Sequence, residues 1–278
     1  MTEKSILDIM VLRGIEKSEG CPLCFLHLEH EQRYMDYLLT NEMTMNPRFR
    51  ERVSAAKGFC NHHMHLLYKI AQEGCTEDGS GYALYMQTVI QRIIEQLEAL
   101  PLDHLRNVEN ATESNIFTRR RRRRQALSEL HNDTIRVIQG QQLCPACRTL
   151  WSSDETFIDT LVMMLDDKEF REGFKSSRGL CLPHLASAIK TISRIKLKNS
   201  ADVAQVLIES ETRYMQLVAR YLSDYVRKRN WQFRHEAPGP EVNANRMSLD
   251  VLAGVEGLYC RSYRAFSPLE SDDRKGGV

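Results

Sequence analysis

Cys21-Pro22-Leu23-Cys24 and Gly58-Phe59-Cys60-Asn61-His62-His63 recur as Cys144-Pro145-Ala146-Cys147 and Gly179-Leu180-Cys181-Leu182-Pro183-His184. The CPxC elements are offset by 123 positions and the GxCxxH elements by 121, so one two-residue deletion brings both into register. Its expected place is a turn between helices, near Asn46-Pro47 in the first copy and Asp166-Asp167 in the second, where loop length changes cost little. An apolar stripe agrees independently. Tyr82, Met86, Val89, Ile93, Leu97 and Leu100 share one face of a helix that Pro101 would end, and Val203, Leu207, Tyr214, Val218 and Tyr221 follow the same pattern 121 residues later. The chain therefore reads as an internal repeat.

With only 8 prolines and apolar residues spaced by three and four, the pattern predicts helices almost throughout and no convincing strand. The expected fold is all-α: two pseudo-symmetric helical repeats, each stapled by a Cys3His metal site. The expected divisions are an N-terminal helix (1–20), a first metal-binding repeat (21–100), a linker helix with an arginine run (101–143), a second metal-binding repeat (144–226), a C-terminal loop and helix (227–266), and a disordered tail (267–278).

Hydrophobic residues make up 42% and charged residues 27%, the profile of a folded globular chain. The 38 lysines and arginines nearly cancel the 37 aspartates and glutamates, which excludes a whole-molecule field for nucleic acid or membrane and leaves only local patches. The first twenty residues scatter Glu3, Lys4, Asp8, Arg13 and Glu16 among apolar positions, unlike a signal peptide, and no stretch reaches the apolar length of a membrane span. A cytoplasmic location without membrane association is the expectation. In a reducing compartment, eight cysteines point to metal binding or thiol chemistry rather than structural disulfides.

Two CxxC pairs, each followed after 33 or 35 residues by CxxH, supply two sets of four ligands suited to tetrahedral zinc. The first set is Cys21, Cys24, Cys60 and His63, and the second Cys144, Cys147, Cys181 and His184. Register selects His63 over His62 and His65, because His63 alone aligns with His184. Ligation is expected within each copy, since an outgoing helix of roughly 30 Å and a return helix of about 18 Å bring the two pairs together with a few extended residues. Pro22 and Pro145 suit the first turn of a helix, and Gly58 and Gly179 a left-handed helix stop.

Three other readings use the same residues: thiols and imidazoles packed in a helical core, an iron–sulfur cluster on three cysteines and a histidine, and thiol–disulfide exchange at CPxC. Attached haem is excluded, since Phe25 and Arg148 stand where its histidine ligand would be. Eight residues in register favour two zinc ions per chain, and a closed four-ligand site has no open position for catalysis. The expected activity is therefore binding or regulation of an unknown protein partner, not catalysis; the alternatives are a redox protein and a nucleic-acid-binding protein.

At these elements, and at Tyr225-Val226-Arg227-Lys228 and Pro238-Gly239-Pro240-Glu241, the sequence resembles a family of uncharacterised, mostly bacterial, cytoplasmic helical proteins with tandem CPxC and GFCxxH elements. The resemblance runs from about Cys21 to Gly257 and implies the fold and the ligands, without an activity.

Arg119 to Arg124 is a run of six arginines that on a helix would point to every side, so it must be solvated or bound to an anion such as nucleic acid. Glu29, Glu31, Asp36 and Glu42 read as a solvated helix face. Cys75 and Cys260 fall outside the repeat and read as ordinary thiols. Trp231 and Phe233 read as anchors of the C-terminal segment. Phosphate-loop, GxSxG and HExxH motifs are missing from the sequence.

Overall fold

Each CPxC proline opens a long helix, because a residue without an N–H is at no disadvantage in a first turn, where that donor has no intrahelical partner. In a computed structural model that describes residues 5–73, 79–110, 116–139, 142–233 and 235–257, the described residues are all helix, turn or loop. The order is α1 (Ile6–Lys17), α2 (Pro22–Leu38), α3 (Asn41–Thr44), α4 (Pro47–Ala55), α5 (Asn61–Glu73), α6 (Ser80–Glu98), α7 (Leu102–Asn110), α8 (Ile116–Ile138), α9 (Pro145–Met164), α10 (Lys168–Phe174), α11 (Leu182–Arg194), α12 (Ser200–Lys228), a 3-10 turn (Pro240–Asn243) and α13 (Ala244–Ala253). The all-α expectation holds. No helix among the described residues is long and apolar enough to cross a membrane.

Corresponding helix starts carry corresponding caps. Asn46 accepts a hydrogen bond from the Phe49 N–H at 3.1 Å to open α4, and Asp167 accepts from the Phe170 N–H at 2.9 Å to open α10. The connection before each cap is where the expected copies differ in length by two residues. The first inserts α3 there, whereas the second continues along α9 to Met164 and turns at once.

Two compact units form, and their boundaries do not follow the copies. Among the described residues, one comprises those up to Gln32 together with those from Leu150 to Gly257, and the other those from Arg33 to Thr149. The chain thus leaves the first unit partway along α2 and returns to it partway along α9.

The core of the first unit is built from Leu23 and Leu26 of α2, Phe157, Leu161 and Leu165 of α9, Phe174 of α10 and Val203 and Leu207 of α12, with Val11 of α1 beside them. Of the stripe expected on α12, Val203, Leu207, Tyr214 and Val218 are buried and Tyr221 is partly buried. In the second unit Tyr85 has no exposed surface; its ring meets Phe49 and Phe59 edge-on, and its hydroxyl donates to the Leu38 carbonyl at 2.8 Å. On α6 the buried line is Gly81, Tyr85 and Val89, rotated from the stripe expected there, and Leu97 is exposed.

The C-terminal segment is held by charge. Arg227 makes two hydrogen bonds to the Glu236 carboxylate at 2.7 and 2.8 Å, and Lys228 reaches buried Glu241 at 2.8 Å. Trp231, expected to anchor this segment, is 75% exposed; Phe233 instead lies under the Arg227 guanidinium, 5.1 Å from its centre. Cys75, Cys260 and the stretch from Ser267 lie outside the described residues.

Candidate metal centres

All four ligand pairs sit at helix N-termini, which explains their spacing. Cys21, Cys60, Cys144 and Cys181 each stand immediately before a helix, and their carbonyls accept the first helical hydrogen bonds, from Phe25, Met64, Arg148 and Leu185. The second ligand of each pair falls three residues on, in the first turn. Residues at these two positions project to the same side of a helix start, where unpaired backbone N–H groups and the helix dipole favour negative charge, so a Cys-x-x-Cys or Cys-x-x-His pair there presents two ligands to one point and eases formation of thiolates.

Which pairs meet differs from the expectation. Cys21 and Cys24 of α2 come together with Cys181 and His184 of α11, all within the first unit. Cys60 and His63 of α5 come together with Cys144 and Cys147 of α9, all within the second. Ligation within each copy, joining Cys21 and Cys24 to Cys60 and His63 and Cys144 and Cys147 to Cys181 and His184, is thereby corrected: each CPxC faces the CxxH of the other copy. The physical reason is the path of α2 and α9, each of which begins in one compact unit and ends in the other, so that it parts its CPxC from the rest of its own copy.

In the first cluster the His184 Nδ1 lies 3.4 Å from Cys21 Sγ, 3.5 Å from Cys24 Sγ and 3.2 Å from Cys181 Sγ, and the Cys24 and Cys181 sulfurs are 3.5 Å apart. In the second, His63 Nδ1 lies 3.1 Å from Cys60, 3.6 Å from Cys144 and 3.3 Å from Cys147, with the Cys60 and Cys147 sulfurs 3.6 Å apart. A tetrahedron with metal–sulfur bonds of about 2.3 Å and metal–nitrogen bonds of about 2.0 Å has edges of about 3.6 Å between sulfur and nitrogen and about 3.8 Å between sulfurs. The two clusters fit those edges to within a few tenths of an ångström and can each hold a metal ion.

Both clusters are shielded from water. His184 has no exposed surface, His63 is 3% exposed, and of the six sulfur residues only Cys21 and Cys60 are partly accessible. Ionisation is favoured at Cys21 in the first and at Cys144 in the second. Burial opposes ionisation of Cys21, but hydrogen bonds from Cys181 and Cys24 and the charge of His184 outweigh it and hold the thiol well below its ordinary value. Cys144 is held low by hydrogen bonds from Cys147 and Cys60, whereas the hydrogen bonds that Cys147 makes to Cys144 and Cys60 push Cys147 up.

Four buried polar residues were not legible as such. Glu211 lies on the buried face of α12; its Oε2 accepts from the Leu180 N–H at 3.0 Å and so ties the segment before Cys181 to that helix. Burial pushes its carboxyl up to about 7. Its spacing from Leu207, Tyr214 and Val218 continues the apolar stripe, and that spacing was the available signal. His27 and Asp154, each 3% exposed, pair through Nδ1 and Oδ2 at 2.8 Å, 127 positions apart and with no local signature. Glu31 is also buried, contrary to the solvated face expected of it.

Arg120 to Arg124 occupy the early turns of α8 and are exposed, so the run is helical and solvent-facing. Gly58 and Gly179 have φ of 99° and 79°, the left-handed conformation expected of them.

Fold and clusters together define an all-helical protein with two Cys3His groups at helix N-termini. The chain belongs to DUF6062, a family of unknown function whose model matches residues 1–254. No curated protein and no solved structure matches it.

Proposed function

We propose that this is a non-catalytic zinc protein in which two closed Cys3His sites fix helix N-termini remote in sequence, and that the helical surface so held acts by binding a partner. The observation that carries the reading is the close approach of four ligand atoms in each cluster, all within 4.8 Å of one another, with sulfur–nitrogen separations suited to a single tetrahedral ion. Iron–sulfur ligation suits the clusters less well. In a polynuclear cluster the protein ligands are divided among two or more irons, which spreads the set of four further than the edges of one tetrahedron. Binding of a divalent cation at either cluster requires thiolates and would release the thiol protons. Four protein ligands would leave no coordination position for a substrate, hence a structural role.

The test is metal analysis of anaerobically purified protein together with its visible spectrum. Two zinc ions per chain in a colourless protein is the expected result; iron with sulfide and visible absorption would replace this reading with the redox one. For the partner, the arginine run on α8 offers a polyanion-binding element by charge alone. A cytoplasmic setting agrees with six thiols kept free for metal.

A further inference from the structure

A cleft of about 940 Å³ opens in the first unit between α12, α13 and the two segments that precede Cys21 and Cys181. Four arginines line it: Arg178 ahead of Cys181, Arg213 and Arg220 on α12, and Arg246 on α13. Arg220 follows Arg213 by seven residues, which is two helical turns, so the two positions share one face of α12 with their Cα atoms about 10 Å apart. Tyr214 and Leu217 lie between them and give the cleft an apolar wall.

The charge there is not cancelled locally. Glu19 and Asp250 are the acids of the lining, and Asp250 is already paired with Arg246 at 3.0 Å. Arg213 uses one donor on the Ser177 carbonyl at 3.1 Å, Arg178 one on the Glu19 carbonyl, and Arg220 has no partner among the described residues. Most of the guanidinium donors are thus uncommitted. Four arginines against two acids leave a net positive charge around one concavity, in a chain whose total charge is only +1, and that excess attracts an oxyanion. Guanidinium groups bind phosphate and carboxylate through paired hydrogen bonds, and the volume is that of a small-molecule pocket, roughly 300–1,000 Å³.

From this we infer that the cleft binds a small organic anion bearing two or more phosphate or carboxylate groups, with its apolar body against Tyr214 and Leu217. The inference is independent of which ion the clusters hold, and it concerns a different element from the arginine run on α8.

Calorimetric titration of the full-length, metal-loaded protein with ADP and with citrate, at low salt, tests it. At least one probe should bind at a single site with Kd of about 1 mM or tighter. Binding should weaken about tenfold or more in Arg213→Gln/Arg220→Gln. Arg220→Gln alone, which removes no contact with another described residue, should weaken it in the same direction, and Lys69→Gln, at an exposed position of α5 away from the cleft lining, should bind as the wild type does. ADP without citrate identifies the ligand groups as phosphates, and citrate without ADP as carboxylates. Failure of both probes to bind, or equal affinity in the wild type and the cleft variants, overturns the assignment. So does loss of oligonucleotide binding in the cleft variants when neither small probe binds.

Discussion

His184 offers its Nδ1 to three sulfurs within 3.5 Å while the ring itself has no exposed surface, so its removal takes away one candidate ligand and leaves a buried cavity. His184→Ala should therefore lose one zinc ion and lower the melting temperature by about 10 °C, as the loss of a few kcal/mol would in a domain of this size. Metal analysis and a thermal melt check both, and an unchanged melting temperature with one ion lost would contradict the structural role. Gly179 makes a second prediction at this scale. Its φ is 79°, and a Cβ there would lie 3.2 Å from the Glu211 backbone N and Cα, atoms that cannot swing aside. Gly179→Ala should destabilise the protein by about 1–3 kcal/mol, measured by denaturant unfolding. At Gly58 a Cβ would meet only the Met64 methyl, so the cost there should come from backbone conformation alone and be smaller.

At the scale of elements, the Pro240–Glu241 turn and α13 are joined to the end of α12 through Glu241 and Lys228. The Lys228 ammonium, helped by the Gly239 N–H, holds the Glu241 carboxyl down to about 2, below an ordinary glutamate at about 4.3. A depressed carboxylate stabilises the fold above its unfolded value and loses that contribution as pH falls towards its folded value. The stability difference between wild type and Glu241→Gln should thus be full above about pH 4.5 and shrink towards pH 2, as pH-dependent melts can show. For α8, replacing Arg120 to Arg123 with Gln tests the arginine run. If the run engages a polyanion, the wild type should bind duplex oligonucleotide with a log–log salt slope near about −5 and the variant should not. Equal behaviour of the two would make the run a solvated helical surface.

Across the whole molecule, the crossed pairing has a stoichiometric signature. Cys24 and Cys181 share a cluster, so Cys24→Ser/Cys181→Ser should retain one zinc ion per chain. Cys24 and Cys60 stand in different clusters, so Cys24→Ser/Cys60→Ser should retain none. Ligation within copies would give the opposite result, and metal analysis of these two variants decides between them. Each ion would close a circuit of many residues, Cys21 to His184 in one unit and Cys60 to Cys147 in the other, so chelation should loosen both units, seen as increased amide exchange around α2, α5, α9 and α11.

The sequence by itself determined the helical class, the eight candidate ligands and the position of each pair. Those follow from local rules: prolines and ligands at helix starts, apolar spacing of three and four, and a register that picks His63 and His184 from among neighbouring histidines. Only the tertiary structure decided which pairs meet. Both copies carry the same ligands at nearly the same spacing, so pairing within and between copies is chemically equivalent, and the choice falls to the packing of α2 and α9, whose two ends belong to different compact units. The same holds for Glu211, for His27 with Asp154 and for the arginines of the cleft. Each is an unremarkable polar residue in its own helix or loop, and its surroundings are supplied by segments tens to more than a hundred residues away.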